Sequence, residues 1–151
     1  MRSAPARLVS VAALAAALAS GAWAQDSAAE GAAARAVVEQ YYADLDAGDY
    51  AKAYALWGND GVDSGQSFDA FKAGYAETAH VEVFTQAATD PEGAAGSLFI
   101  TVPVRIEARL TSGDHQRFGG SYTLRRVDDV PGATEAQLHW HLSSSDIHQI
   151  E

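Results

Sequence analysis

Residues 41–57 read YYADLDAGDYAKAYALW and contain the pattern of two short helices joined by a glycine turn. Gly48 is expected to end the first helix in a left-handed conformation. Asp49 is expected to cap the second, which runs to Trp57, by accepting from its free backbone N–H groups. The first helix extends upstream as an apolar stripe at the 3.6-residue helical period, formed by Ala34, Val37, Val38, Tyr41 and Leu45.

Beyond these helices the apolar period changes from helical to alternating. Ser67 is expected to cap a third helix, SFDAFKAGYAE, and after Thr78 apolar residues recur at every second position. Pro103 lacks an N–H, so its strand is expected to lie at a sheet edge or to carry a bulge. Three helices followed by alternating segments predict an α+β domain, with the helices on one face of a curved, mainly antiparallel four-stranded sheet. The predicted strands are residues 80–85, 98–110, 117–127 and 136–144.

The N-terminal residues have the composition of a cleavable secretory signal peptide. Two arginines precede a short apolar run, and the tripeptide AWA supplies a small-x-small cleavage pattern. We therefore predict a signal peptide over residues 1–24, a flexible lead-in over residues 25–32 and a single domain over residues 33–151. The apolar run is shorter than the roughly 20 residues that a membrane-spanning helix needs. The sequence thus predicts no membrane span and a periplasmic or secreted protein.

The composition restricts the classes of partner. The chain has 151 residues, no cysteine and a formal net charge of −10. Removing residues 1–24 with their two arginines would leave eight basic against twenty acidic side chains, a net charge of −12. An acidic excess repels nucleic acid and anionic lipid, so neither is predicted as a partner. Without cysteine the chain has neither a disulfide nor a thiolate metal ligand, and its fold depends on the core.

The order of these segments resembles a known superfamily. YYADLDAGDYAKAYALW, then SFDAFKAGYAE, then four strands with an aromatic residue in the last, is similar to the nuclear transport factor 2-like superfamily. That superfamily includes ketosteroid isomerase, scytalone dehydratase and the polyketide cyclases. The resemblance covers nearly all of residues 33–151 and implies a cone, in which the bent sheet wraps the helices and encloses an apolar cavity. Because the scaffold hosts enzymes, binding proteins and assembly adaptors, it does not imply an activity.

The residues that would line such a cavity follow from strand parity and helical spacing. If the apolar face of each strand points inward, the wall consists of aliphatic and aromatic side chains, with phenol hydroxyls as its main polar groups. The predicted ligand-cavity residues are Tyr41, Tyr54, Trp57, Phe71, Tyr75, Ile100, Val102, Val104, Tyr122, Leu138 and Trp140.

A catalytic base is harder to place. The resemblance implies a carboxylate or histidine in the cavity for members that transfer protons, but strand parity supplies none here. His80, near the expected mouth, is the candidate catalytic residue. His139 and His141 fall on the opposite side of their strand from Trp140, where they lack an obvious third ligand. The sequence therefore predicts no metal site and no cofactor.

The outward face of the predicted sheet concentrates positive charge. Arg105, Arg109, Arg117 and Arg125 share the outward parity of their strands. This face either binds an anion or a partner, with a second copy of the chain implied by the resemblance, or is solvated, with Glu107 and Glu82 opposite the arginines on neighbouring strands. Both interpretations remain open at this point.

Three functions fit these patterns. The first is an exported, non-catalytic protein that binds a small apolar or aromatic ligand in its cavity. The second is an enzyme resembling ketosteroid isomerase or dehydratases, in which tyrosine hydroxyls polarise a carbonyl oxygen. The third is an interaction or dimerisation module whose cavity is filled by side chains. A cavity containing a buried carboxylate or histidine favours the enzyme, an open apolar one favours binding, and a filled one favours the third.

Overall fold

The computed structural model describes residues 16–151. Within them the chain forms three α-helices and then one antiparallel sheet, so the predicted α+β class is confirmed. The helices are α1 (Ala16–Asp46), α2 (Tyr50–Ala55) and α3 (Phe68–Gly74). The strands are β1 (Thr78–Thr85), β2 (Glu92–Ala94), β3 (Ser97–Leu110), β4 (His115–Val127) and β5 (His141–Ile150). Short 3₁₀ turns occupy Val62–Ser64 and Glu135–Leu138.

The turn between α1 and α2 is built as expected, with one difference. Gly48 has a φ of +77°, the left-handed value that favours glycine. Asp49 takes the N-cap position of α2, but its side chain makes no capping bond. Its carboxylate instead accepts from Lys52 Nζ at 2.9 Å on the exposed surface. Ser67 does cap α3, because its hydroxyl accepts from the backbone N–H of Ala70 at 3.2 Å.

The first helix is longer than the sequence pattern predicts. Residues 25–32, expected to be a flexible lead-in, are helical, and Gly31 is buried. The alanine-rich composition of this segment favours helix, and the Glu30 side chain bonds to the sheet. Most of the predicted signal peptide, residues 1–15, lies outside the described residues. No helix within residues 16–151 combines the length and apolar character that crossing a bilayer requires.

The sheet has the order β1-β3-β4-β5, with the short β2 pairing to β3 beyond the end of β1. The sheet therefore has five strands rather than the predicted four, because β2 is too short to show an alternating pattern. Pro103 lies in β3, a central strand, and pairs with Ser121 of β4. Its edge or bulge assignment was wrong. The carbonyl of Pro103 accepts from the backbone N–H of Gln86 at 2.9 Å. The nitrogen of Pro103, which carries no hydrogen, therefore faces the gap between β1 and β2, where no strand needs its hydrogen bond.

The core lies between α1 and α2 and the inward face of β3, β4 and β5. Alternation in β3 is confirmed, since its even-numbered apolar residues from Ile100 to Ala108 are all buried. The largest fully buried side chains are Tyr41, Ile100, Leu124, Leu142, Val38 and Val102. β4 carries Gly120 with φ +145°, where a Cβ would overlap the carbonyl oxygen of Asp146 in β5. At this point the backbones of β4 and β5 lie very close together. Both strands contribute side chains to the wall of an internal cavity.

Candidate functional site

A cavity of about 310 Å³ opens between α1, α3 and the end of the sheet where β3 turns into β4. Aromatic side chains dominate its wall, and hydroxyl and amide groups provide the remaining polarity. Its lining comprises Tyr41, Tyr42, Trp57, Ser64, Gln66, Phe71, Gly74, Tyr75, Thr78, Val81, Ile106, Ala108, Gln116, Phe118, Tyr122, Ser145 and Ile147. This volume lies at the small end of the range for small-molecule sites, roughly 300–1,000 Å³.

Four phenols in the wall form two hydrogen-bonded pairs. The hydroxyls of Tyr41 and Tyr75 lie 2.9 Å apart, and those of Tyr42 and Tyr122 lie 2.7 Å apart. The rings of Tyr41, Tyr42 and Tyr122 also meet edge to face, with centroids 5.1–6.1 Å apart. Such contacts favour one fixed arrangement of the rings, so the hydroxyls have defined positions before any ligand enters.

Burial keeps these phenols uncharged. It raises the pKa of Tyr41, Tyr42 and Tyr122 far above the ordinary value, because the phenolate would lose its hydration. Burial also raises the pKa of Tyr75. All four hydroxyls therefore keep their protons at neutral pH. As neutral phenols they can both donate and accept hydrogen bonds.

The indole of Trp57 adds a buried hydrogen-bond donor close to Tyr41. The residue is only 6% exposed, and its Nε1 is buried without a hydrogen-bond partner. The indole lies close enough to Tyr41 to oppose slightly the rise in that residue's pKa, but it makes no bond of acceptable geometry. A buried unpaired N–H costs about 1–3 kcal/mol.

The polar groups of the cavity wall are uncharged hydroxyl, amide and indole groups. None of its lining residues, all within the described part of the chain, carries a carboxylate, imidazole or ammonium group. A general base needs a pKa near the working pH, and the raised pKa values of the four phenols exclude them from that role. The wall can therefore donate hydrogen bonds to an uncharged ligand and accept them from it.

The structure brings together five of the predicted ligand-cavity residues and separates the others. Tyr54 packs behind the wall against Phe71, and its hydroxyl donates to the carbonyl of Gln66 at 2.7 Å. Leu138 lies in the 3₁₀ turn before β5, where strand alternation does not apply. The five that line the cavity are Tyr41, Trp57, Phe71, Tyr75 and Tyr122. The inward-facing residues that fill the core away from the cavity are Ile100, Val102 and Val104.

His80 lies outside the cavity. Its Nδ1 is 2.6 Å from the carboxylate of Asp46, at the end of α1. The same carboxylate accepts from the backbone N–H of Val81 at 2.9 Å. This pair ties α1 to the start of β1, and the half-exposed imidazole faces a separate small surface cleft. His80 therefore has a structural environment rather than that of a base acting on a cavity ligand.

Trp140 lies at the other end of the sheet in a cluster that the sequence pattern did not predict. Its indole N–H donates to Glu30 at 2.7 Å, and Arg126 donates to the same carboxylate at 2.6 Å. The side chains of Arg126 and Glu30 are 16% and 29% exposed, so the pair is largely shielded. This cluster fastens the N-terminal half of α1 to β4 and β5. Trp140 is therefore a core residue that does not line the cavity.

Two other predicted groups lie on the surface. His139 ends the 3₁₀ turn and is exposed, and its nearest carboxylate is Glu135 at 3.9 Å. Within residues 16–151 no three potential metal ligands converge. The outward-facing arginines of β3 and β4 are all exposed, and Arg105 stacks 4.5 Å from the ring centroid of Phe84. A dimer contact through this face stays a prediction.

The sequence patterns failed to identify several lining residues, for reasons that the structure makes clear. Tyr42 follows Tyr41 directly, so it lies about 100° around the helix and outside the apolar stripe. Ile106, Ala108 and Phe118 have the inward parity, but parity does not say at which end of a strand the cavity lies. Pairing of Ile106 with both Val83 and Phe118 defines that end, and such register information requires the folded sheet.

Solved structures show what this architecture is similar to. A protein from Novosphingobium aromaticivorans, provisionally named a scytalone dehydratase, superimposes with a TM-score of 0.55 at 15% identity, over 82% of this chain and 85% of that chain. The Kfla4162 protein from Kribbella flavida superimposes with a TM-score of 0.56 at 16% identity, over 83% and 92%. The chain has the nuclear transport factor 2-like fold.

This likeness establishes the fold and not the activity. Both identities are far below the level at which function transfers, and a shared fold hosts many functions. No protein-family profile and no curated protein sequence matches the chain. The function of this nuclear transport factor 2-like domain must therefore be inferred from its own cavity.

Proposed function

We propose that this protein is an exported, non-catalytic binding protein for a small apolar or aromatic ligand. The ligand occupies the cavity lined by the two phenol pairs and Trp57. Export rests on the basic, apolar and small-residue pattern of residues 1–24. The main observation in support of binding is an open cavity of about 310 Å³, in which the buried polar groups are uncharged hydroxyls.

The size and polarity of the cavity support this proposal. Ligand sites are mostly apolar concavities in which a few placed polar groups fix orientation. Here the aromatic wall supplies the apolar contact, and the paired hydroxyls supply the polar groups. An interaction module with a filled interior would leave no such space, so the cavity favours binding over the third candidate function.

The same features disfavour an isomerase or dehydratase. Proton transfer in such reactions needs a group that accepts a proton near neutral pH. The phenols of Tyr41, Tyr42, Tyr75 and Tyr122 have pKa values raised by burial, and His80 is paired with Asp46 elsewhere. The enzyme named among the structural neighbours therefore shares a scaffold with this chain, while the donor set supports retention of a ligand.

Filling the cavity is expected to weaken binding. Ala108 is buried on the inward face of β3 and lines the cavity, so Ala108→Leu adds three carbon atoms to the space that a ligand needs. We expect the affinity for 1-indanone, a two-ring ketone, to fall at least about tenfold, or about 1.4 kcal/mol. Isothermal titration calorimetry measures this change.

The matched control places the same substitution outside the cavity. Ala94 lies exposed on β2, so Ala94→Leu is expected to leave the dissociation constant within about twofold of the wild-type value. Equal affinities for the wild type and Ala108→Leu would contradict the location of the binding site. No binding of 1-indanone to the wild type, at concentrations up to its solubility, would count against a site for apolar ligands.

A further inference from the structure

A second cavity, of about 240 Å³, opens where the chain between α2 and α3 borders β5. Residues of the segment 58–63 line one side of it, and residues of β4 and β5, among them Arg125 and His141, line the other. Within the described part of the chain, it shares only Trp57 with the lining of the aromatic cavity. Its volume lies below the roughly 300 Å³ at which drug-sized sites begin. The second cavity therefore suits a ligand of few atoms.

The carboxylate of Asp63 has a fixed place on one side of the second cavity. The backbone of Gly58 donates to Leu142 of β5 at 2.9 Å and accepts from the backbone N–H of Asp63 at 3.1 Å. One carboxylate oxygen of Asp63 accepts from the Asn59 side chain at 2.7 Å, and the other packs over Gly58, where a Cβ would overlap it. Asp60 adds a second carboxylate to the same lining. These contacts hold negative charge on this side.

The guanidinium of Arg125 supplies positive charge on the opposite side. Arg125 pairs with His141 across β4 and β5, and its Nε donates to the hydroxyl of Ser97 at 3.0 Å. Ser97 is only 5% exposed, so this bond holds the guanidinium in place and leaves the hydrogens of both Nη groups available. Among residues 16–151, no carboxylate forms an ion pair with Arg125.

The two charged sides line one cavity without neutralising each other. Trp57 bridges to Leu142, which places the segment that leads to Asp63 beside β5, while Arg125 lies on β4 beyond it. The two backbones are therefore about two strand spacings, or roughly 10 Å, apart. An ion of one sign can satisfy only one of these sides, because the other side repels it.

We propose that the second cavity binds a small zwitterion whose ammonium and carboxylate groups are several bonds apart, such as an ω-amino acid or a small dipeptide. The Nη groups of Arg125 donate to the ligand carboxylate in a charge-assisted, two-pronged contact. The carboxylate of Asp63 accepts from the ligand ammonium. Val127 and Ala136 supply apolar surface for the carbon chain between the two charges.

Other ligand classes fit this lining less well. An inorganic anion would approach Arg125 but would be repelled by Asp60 and Asp63. A simple amine would meet the reverse conflict. An apolar molecule would remove water from charges that have no partner, which is costly. An α-amino acid such as glycine carries its two charges too close together to reach both sides.

The test compares 4-aminobutyrate with butyrate and butylamine, which have a carbon chain of the same length and one charge each. Two-dimensional ¹H–¹⁵N spectra of the wild-type protein follow each titration at equal ionic strength. We expect 4-aminobutyrate to bind about five- to tenfold more tightly than either analogue, because each analogue lacks one charge-assisted hydrogen bond. The largest shifts are expected at the backbone amides of Gly58, Asp63 and His141. Equal affinities for the three compounds, or no shift of these amides, would overturn the inference.

Two charge-removing variants assign the two ends of the ligand. In Arg125→Gln the preference for 4-aminobutyrate over butylamine should disappear, and in Asp63→Asn the preference over butyrate should disappear. Arg109→Gln is the matched control, because Arg109 is equally exposed on the outward face but does not line the second cavity. It is expected to leave the affinity within about twofold of the wild-type value. Unchanged preferences in Arg125→Gln and Asp63→Asn would contradict the assigned contacts.

The second site is independent of the proposed binding function, and the same variants separate the two. Ala108→Leu narrows the aromatic cavity and is expected to leave the affinity for 4-aminobutyrate unchanged. Arg125→Gln is expected to leave the affinity for 1-indanone unchanged. Loss of both ligands in either variant would contradict two separate sites. Binding of 1-indanone without any binding of 4-aminobutyrate would contradict the second site alone.

Discussion

Replacing Gly120 by alanine is expected to destabilise the protein by more than about 3 kcal/mol, because the new Cβ has no space and the backbone conformation is strained. Gly120 lies in β4 with φ +145°, a value that side-chain-bearing residues rarely adopt. A Cβ at this position would overlap the backbone carbonyl of Asp146 in β5. The overlap is with backbone, so no side-chain rotation relieves it. β4 and β5 must separate locally, which opens one wall of the cavity.

The preceding residue provides a matched control. Gly119 bears no such strain, and a Cβ there would meet only the side chain of Ile150, at 3.6 Å. Gly119→Ala is therefore expected to stay within about 1 kcal/mol of the wild type. Urea unfolding followed by circular dichroism compares the two variants. Equal unfolding midpoints for Gly119→Ala and Gly120→Ala would contradict the described contact between β4 and β5.

The second large effect is a loss of stability at alkaline pH. Burial raises the pKa of Tyr41, Tyr42, Tyr75 and Tyr122 above the ordinary value of 10.0. The folded protein therefore keeps protons that the unfolded chain releases above pH 10. Their contribution to stability is fully present below that pH and is lost as the pH rises toward the folded-state pKa values. Each such phenol lowers the unfolding free energy by about 1.4 kcal/mol per pH unit.

Urea midpoints at pH 8, 9, 10 and 11, together with tyrosinate absorbance, measure this loss. We expect these phenols to cause little change in the midpoint below pH 9 and a steep fall in the midpoint above pH 10. The double variant Tyr42→Phe with Tyr122→Phe removes one pair without leaving a lone hydroxyl and should make the fall shallower. If all the tyrosines ionise near pH 10 while the fold stays intact, the described burial of the two pairs is contradicted.

The local rules of the sequence predicted much of the fold. Gly48, Ser67 and the alternation of β3 each depend on interactions within a few residues, and the structure has them where expected. Asp49 failed as a cap because Lys52 competes for its carboxylate. Pro103 did not place its strand at the sheet edge, because its nitrogen faces the gap between β1 and β2. This gap exists only once the strands have paired.

The cavity required information that no local pattern contains. Alternation correctly placed Ile100, Val102 and Val104 on the inward face, yet the cavity lies toward the other end of β3. Trp140 was correctly predicted to be buried, but its partner Glu30 is 110 residues away in sequence. The pairing of Tyr42 with Tyr122 likewise joins residues 80 apart. Such contacts depend on how α1 lies across the sheet.

We propose that the cavity binds a neutral ligand and performs no proton transfer on it. A proton spectrum of 1-indanone with the wild-type protein in D₂O tests both parts in one sample. We predict that ligand signals broaden on binding while the protons next to the carbonyl exchange at the rate seen in buffer alone. If the wild type accelerates this exchange and Ala108→Leu does not, a base acts in the cavity. That result would contradict the proposed non-catalytic binding.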